Sequence, residues 1–373
     1  MHPMIKPALR RAWRDRQTVQ YGVAPAHAVL LGPVDDTTAA FMESMDGTRS
    51  MVQLREEAGR LGLAGGTAEQ LVERLGSAGI LDDATADREA SSQVGGRLRP
   101  DLASLSVVHP RPGDGLRRLT ARREAGVQVR GAGRVGALVA TTLSAAGVGE
   151  VAVVDGGKVE PWDTSPGGLA PDDCGERRDV AARRAVSRAR PWSSRRRPPS
   201  RCRSRPRPGL VILVPRDGLD AYAPDPGVAE GFMGARTPHL YGGVVESTGF
   251  VGPLVMPGCS PCAGCILRGR AEREPSWPLV VGQWRMSARR RSGVPACDTA
   301  LATVVAGAIA SYALAFLDGD GACASGYRMR FALPHLIGGT EQFTAHPECP
   351  CGAASVTGDL PPSADAAEEV TMA

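Results

Sequence analysis

The sequence predicts an α/β chain in which a doubly wound sheet with a zinc knuckle follows a small winged-helix-like α+β domain. Three observations predict it. A short alternating strand runs into a glycine-rich turn and a helix near residues 127–146. Two tight cysteine pairs lie far apart, at 262–265 and 349–351. The first part of the chain alternates short apolar runs with two helical periods. A length of 373 residues, against a usual domain of about 150, fits two domains. A hydrophobic share of 42% and a charged share of 23% exclude disordered, fibrous and disulfide-miniprotein classes. Aromatics are only 4%, so the core must rest on Val, Leu and Ala, and a stacking platform for single-stranded nucleic acid is disfavoured.

The net charge of +4 hides an asymmetry. Residues 183–207 hold eleven arginines and no acid, and without them the charge becomes −7. The body of the protein is mildly acidic, so charge does not imply a nucleic-acid partner. Met1 to Pro7 carries no apolar stretch of signal-peptide length, which places the chain in the cytoplasm with reduced thiols or metal-bound cysteines. Thr299 to Leu317 is long and uncharged, but Thr, Ala, Gly and Ser fill it and Asp298 and Asp318 bracket it. It reads as a buried helix, and no membrane partner is expected.

Residues 1–88 form the first module. Apolar runs at Gln20–Val23 and Ala28–Leu31 precede the turn Asp46-Gly47-Thr48. Ser50 then caps a helix through Met51, Leu54 and Ala58. Gly65-Gly66-Thr67 opens a second helix with Leu71, Val72 and Leu75 on one face, and Gly79-Ile80-Leu81 closes the unit with a strand. Residues 89–125 read as a polar linker ending in a basic helix with Arg117, Arg118, Arg122 and Arg123. Residues 126–353 form the second domain, and 354–373 a disordered tail rich in Pro, Ser, Ala and acids.

The strand Val127 to Arg130 runs into Gly131-Ala132-Gly133-Arg134-Val135-Gly136 and then a helix from Ala137 to Ala146. This is GxGxxG in the context that gives it meaning. The first glycine permits the turn, the second admits phosphate to the backbone, and the third packs helix on strand in a Rossmann-like unit. Val151 to Val154 is a second buried strand with Asp155 at its tip, where a carboxylate can take both ribose hydroxyls. A glycine turn without ligand, and an NAD(P) or FAD oxidoreductase, are the alternative readings of this motif.

The words around the second strand, Ala145-Ala146-Gly147-Val148-Gly149-Glu150-Val151-Ala152-Val153-Val154-Asp155, then Val159-Glu160 and Asp173-Cys174-Gly175, resemble the ThiF and MoeB family. Those relatives of the ubiquitin-activating enzymes bind ATP and adenylate the carboxyl terminus of a small carrier protein. The resemblance, over residues 126 to about 352, implies Gly131, Gly133 and Gly136 around the phosphates, Asp155 on the ribose and Arg178 in place of a phosphate-binding lysine. It also implies Asp217 as the acid that holds Mg²⁺ on ATP, since attack of a carboxylate on the α-phosphorus needs charge neutralisation more than a general base. Family members dimerise, so a homodimer is implied. The chain departs from the pattern at Pro166, where the family has a phosphate-gripping arginine, and at Gly218, where it has asparagine.

Cys262-Ala263-Gly264-Cys265 and Cys349-Pro350-Cys351 give two pairs of thiolates within reach of one ion, a candidate structural Zn²⁺ site. Free thiols or a redox pair are the alternative. Cys259 and His346 are further candidate ligands, and the resemblance supports the four-cysteine set. Cys174, Cys297 and Cys323 read as ordinary buried thiols.

Arg188 to Pro208 falls where a third strand is expected, yet its alternation of Arg, Pro and Ser cannot form a buried strand. It reads as a basic arm, a solvated loop or the product of a reading-frame slip. The N-terminal module resembles the peptide-recognition elements of ribosomal peptide-modification pathways, through Phe41-Met42, Asp46 to Ser50, Leu54 and Gly79-Ile80-Leu81. The resemblance implies a precursor leader peptide as partner, adding a strand to the module's sheet edge. It also implies a cyclodehydratase-type modifying enzyme as a second partner. Either the chain is an active ATP-dependent adenylyltransferase, or it has lost that chemistry and presents a leader peptide.

Overall fold

Capping chemistry sets the elements of the N-terminal part. Short strands β1 (Pro3–Ile5), β2 (Arg11–Trp13), β3 (Val19–Tyr21) and β4 (Val29–Leu31) come first, and β2-β3-β4 form an antiparallel sheet. Helix α1 (Asp36–Glu43) starts where the Asp35 carboxylate accepts from the Thr38 backbone N–H. Helix α2 (Met51–Arg60) starts with the capping box of Ser50 and Gln53, as its cap residue predicts. Helix α3 (Thr67–Ser77) follows Gly66 at φ +87, and β5 (Leu81–Asp83) pairs antiparallel with β1. Phe41, Leu54, Ile80 and Leu81 are completely buried in one cluster.

This computed structural model describes residues 1–85, 96–191, 208–290, 293–320 and 325–355. Most of the arginine run (192–207), Cys323 and residues 356–373 of the expected tail lie outside the described residues. The chain divides into a unit built on Met1–Arg123 and a second beginning at Glu124.

The expected linker is not extended where it is described. It holds two helices, α4 (Arg99–Val108) and α5 (Asp114–Glu124), packed through Leu98, Leu105 and Leu119. The basic residues drew attention to α5, but the apolar spacing of 98, 102, 105 and 116, 119 is a helical period in its own right. The end of α4 and the turn that follows it are tied to Lys6, just after β1, and to Asp82 on β5. The fully buried Lys6 ammonium donates to the carbonyls of Ser106 at 2.5 Å, His109 at 3.3 Å and Pro110 at 3.3 Å. Asp82 bonds the Ser106 hydroxyl at 2.7 Å and the Gly113 N–H at 2.7 Å. Burial pushes the Lys6 ammonium below its ordinary value.

The second unit runs β6 (Gly126–Arg130), α6 (Arg134–Ala145), β7 (Glu150–Val154), α7 (Arg178–Ala189), β8 (Leu210–Leu213), α8 (Leu219–Tyr222), α9 (Pro226–Gly234), β9 (His239–Val245) and β10 (Thr248–Val255). It continues with α10 (Ala263–Arg273), α11 (Trp277–Arg290), α12 (Thr299–Leu317), β11 (Tyr327–Ala332) and β12 (Ile337–Gln342). Its seven-stranded sheet has the order β12-β11-β10-β9-β8-β6-β7. Strands β7, β6, β8 and β9 are parallel neighbours, and β10, β11 and β12 extend the sheet antiparallel. Every residue of β8 is buried, because Leu210 and Ile212 face one cluster with α6, α7 and α12 while Val211 and Leu213 face another with α9 and α10. That is the doubly wound arrangement the sequence predicts. Among the described residues no strand lies beyond β7, the position expected for the third strand.

Helix α12 is long and apolar enough to cross a membrane by length and composition. Its Leu301, Val305, Ile309 and Ala313 are completely buried against the sheet and α6, as core residues are. Arg328 on β11, 1% exposed, donates to the carbonyls of Ala221 at 3.2 Å and Tyr222 at 2.6 Å and pairs with Glu341. It thereby fixes the end of α8 and, with it, the loop that leads out of β8.

Candidate functional site: a cavity beside the glycine turn

The chain leaves β6 and reverses into α6 within a few residues. Gly131 makes this turn at φ +109, where a Cβ would lie 1.8 Å from the Val214 carbonyl oxygen. A Cβ on Gly136 would lie 2.1 Å from the Gly131 carbonyl, so helix and turn meet backbone to backbone. Gly133 is the N-cap of α6 and provides no side-chain cap, so the first-turn N–H groups face an open end. Such an end attracts an anion.

Beside this turn lies a cavity of about 350 Å³, bounded by Gly133, Arg134, Gly136, Trp162, Asp163 and Arg216. Cys297 and Asp298 close another side, and Val214, Val244 and Leu333 supply apolar wall. A second, more open hollow of about 760 Å³ runs along Thr164 to Pro171 and the end of α7, and Arg134 lines both. The indole N–H of Trp162 has no hydrogen-bond partner in its buried position.

The six residues assigned to nucleotide and metal-ion binding divide. Gly133 and Gly136 line the cavity, and Gly131 forms the turn beneath it. Asp155 stands at the tip of β7 and accepts from the Ala132 N–H at 2.8 Å, the Gly157 N–H at 2.9 Å and Arg178 Nε at 3.0 Å. A carboxylate offers about four lone-pair positions, so one remains for a further donor. Arg178 is spent on the chain itself: besides Asp155 it bonds the Lys158 carbonyl at 2.6 Å and Asp163 at 3.4 Å. Asp217 is exposed, and its carboxylate accepts from the Leu219 N–H at 3.3 Å on its own turn. Neither Asp155, Arg178 nor Asp217 lines the cavity.

Sequence reasoning passed over Arg134, Trp162, Asp163 and Arg216 as site residues. The signal for Arg216 was its place: it leaves the carboxyl end of a central parallel strand, where open α/β sheets bind ligands. Arg216 Nε donates to Asp163 at 2.7 Å and its Nη2 to Glu160. Asp163 also accepts from the Glu160 N–H at 3.0 Å. Arg134 donates to the Trp162 carbonyl at 3.1 Å and the Cys297 carbonyl at 2.9 Å.

The remaining cysteines correct the expectation of buried thiols in part. Cys174 is exposed, since its turn follows the surface, and Cys297 is half-buried on the cavity wall. Burial pushes the Cys297 thiol up to about 11, against a smaller downward pull from Arg134.

The four predicted metal ligands meet. The Sγ atoms of Cys262, Cys265, Cys349 and Cys351 all lie within 4.8 Å of one another. Cys262 is 3.9 Å from Cys265 and 3.6 Å from Cys349, and Cys265 is 3.5 Å from Cys351. Four sulfurs about 2.3 Å from a tetrahedral zinc stand roughly 3.8 Å apart, so the set fits that ion. The hydrogen bond between Cys262 and Cys265 holds Cys265 below the usual thiol range and pushes Cys262 above it. Cys259 is exposed and outside the cluster. His346 points its Nε2 at Glu272, 2.8 Å away, and is also outside.

The ThiF family model matches residues 113–352. Among solved structures, E. coli MccB with MccA-N7isoASN is 14% identical, with a TM-score of 0.68 over 95% of this chain and 100% of that one. E. coli MccB with ATP is 14% identical, with a TM-score of 0.68 over 94% and 99%. PaaA is 15% identical, with a TM-score of 0.63 over 91% and 100%. At these identities the likeness establishes the fold. No curated protein matches by sequence.

Proposed function

Because the chain belongs to the ThiF family, we propose that it is an ATP-dependent adenylyltransferase of ribosomal peptide modification, acting on the carboxyl terminus of a precursor peptide. One observation carries the reading: a cavity of nucleotide-site character at the glycine turn, in a fold shared over nearly its full length with a protein solved with both ATP and MccA.

In this reading the open N-terminus of α6 receives the phosphates and the free lone pair of Asp155 takes a ribose hydroxyl. The second hollow, which shares Arg134 as a lining residue with the cavity, would hold the end of the peptide. Its carboxylate oxygen would bond the α-phosphorus as the bond to the β-phosphate oxygen breaks and pyrophosphate leaves. The chain's part is to orient the carboxylate in line and to neutralise charge. Asp217, whose one bond on its turn uses a single oxygen, would present its other oxygen to Mg²⁺. The N-terminal unit would hold the leader peptide at an edge of the β2-β3-β4 sheet. Zinc in the four-cysteine site would be structural, joining α10 to the chain beyond β12, and requires the reducing cytoplasm expected above.

Asp217's exposed position and the self-paired Arg178 favour a second reading, in which the pocket is retained without catalysis and the protein presents a leader to a cyclodehydratase-type enzyme. Titration with Mg-ATP, then pyrophosphate exchange with peptides encoded beside the gene, separates the two. Binding with exchange supports the enzyme, binding without exchange supports the presenting protein, and absence of binding removes both nucleotide readings.

A further inference from the structure

Two guanidinium groups flank the cavity, and each is held at two points with a nitrogen to spare. Arg216 is fixed by Asp163 through Nε and by Glu160 through Nη2, and its Nη1 makes no hydrogen bond among the described residues. Arg134 is fixed by two backbone carbonyls through Nε and Nη1, and its Nη2 is likewise without a bond there. Arg134 has no carboxylate within ion-pair distance among the described residues, although Asp163 and Asp298 line the same cavity. Both side chains border the end of α6: Arg134 is its first residue, and a Cβ on Gly133 would lie 3.1 Å from Arg216 Cγ.

Charge-assisted hydrogen bonds from a pinned guanidinium lose little side-chain entropy, which makes such pairs well suited to phosphate oxygens. Arg178, also near the turn, has its Nε and Nη1 on Asp155, Lys158 and Asp163 and keeps an Nη2 of its own, but it lies outside the cavity wall, and that position separates it from the other two. We propose that Arg134 and Arg216, rather than Arg178, are the residues that bind the nucleotide's polyphosphate, one from each side of the helix end. This rests on the nucleotide reading above. Glu160, 39% exposed, then acts as a positioning residue that competes with the phosphate for Arg216.

The test is calorimetric titration of the full chain with Mg-ATP, adenosine and inorganic tripolyphosphate. Arg134→Ala and Arg216→Ala are each expected to weaken ATP and tripolyphosphate by roughly tenfold to a hundredfold while leaving adenosine unchanged. Arg134→Lys should recover part of the loss. Removing Arg216 leaves Asp163 short of a partner, so Glu160→Gln provides a second arm that keeps the fold. Asp163 still holds Arg216 through Nε in this variant, and removing the Glu160 charge beside the guanidinium should tighten ATP by about twofold to tenfold. Variants that bind ATP as well as the parent, or lose adenosine in equal proportion, overturn the proposal and leave the nucleotide reading standing. A parent that binds tripolyphosphate but neither ATP nor adenosine overturns the nucleotide reading and keeps the arginine pair as an anion site. A parent that binds none of the three overturns both.

Discussion

Arg178 Nε lies 3.0 Å from Asp155 Oδ1, and the same guanidinium reaches Asp163 at 3.4 Å, so one arginine joins the tip of β7 to the loop beyond it. The side chains are 13%, 8% and 2% exposed, and pairing at this depth is costly to break from one side. Arg178→Ala should destabilise the chain by about 2–4 kcal/mol in urea unfolding. Arg178→Lys should recover less than half, because an ammonium cannot bridge two carboxylates in the same plane.

Asp155→Ala is expected to weaken ATP and adenosine together, by roughly tenfold or more, since the ribose contact is common to both. Competition between the two ligands in one titration series checks this, and equal affinity for parent and variant would place the ribose elsewhere.

The purified protein should carry about one zinc ion per chain by elemental analysis. Cys262→Ser with Cys349→Ser, or chelation, should remove it and lower the melting temperature by something on the order of 10 °C. A metal-free protein that melts at the same temperature would refute the site.

Burial raises the Asp220 carboxyl to about 6, with Asp225 and Asp217 adding to the shift and Arg285 opposing it. An acid whose folded value lies above its unfolded value of 3.8 is more stable protonated in the fold. Its contribution therefore falls as pH rises from about 4 to about 6, and the penalty persists above that. Asp220→Asn should stabilise by roughly 1–3 kcal/mol at about pH 7.5 and make no difference below about pH 4, as read from urea midpoints.

The parallel core of the second domain was legible because its local signals agree: the alternating Val127 to Arg130, the glycine turn, and the apolar Val151 to Val154 ending in Asp155 follow one another in the order such a unit requires. The cysteine cluster was legible from spacing together with the family resemblance, and the structure leaves Cys259 and His346 outside it. The cavity wall was not, because Arg216 and the adjacent Trp162 and Asp163 come from two separate loops and nothing in one dimension announces that Arg216 reaches back 53 residues to Asp163. Helix α4 was missed for a different reason. The polar stretch around it reads as linker, and its Pro100 does not interrupt the helix, because proline in a first helical turn costs no hydrogen bond.

The buried Lys6 ammonium decides where the N-terminal unit can be cut. All three of its carbonyl partners lie between Ser106 and Pro110, so a fragment ending near residue 88 removes every carbonyl to which the ammonium donates. A peptide-binding fragment that keeps its native form must extend through α5, and failure of a shorter one would report on a stranded cation rather than on the peptide.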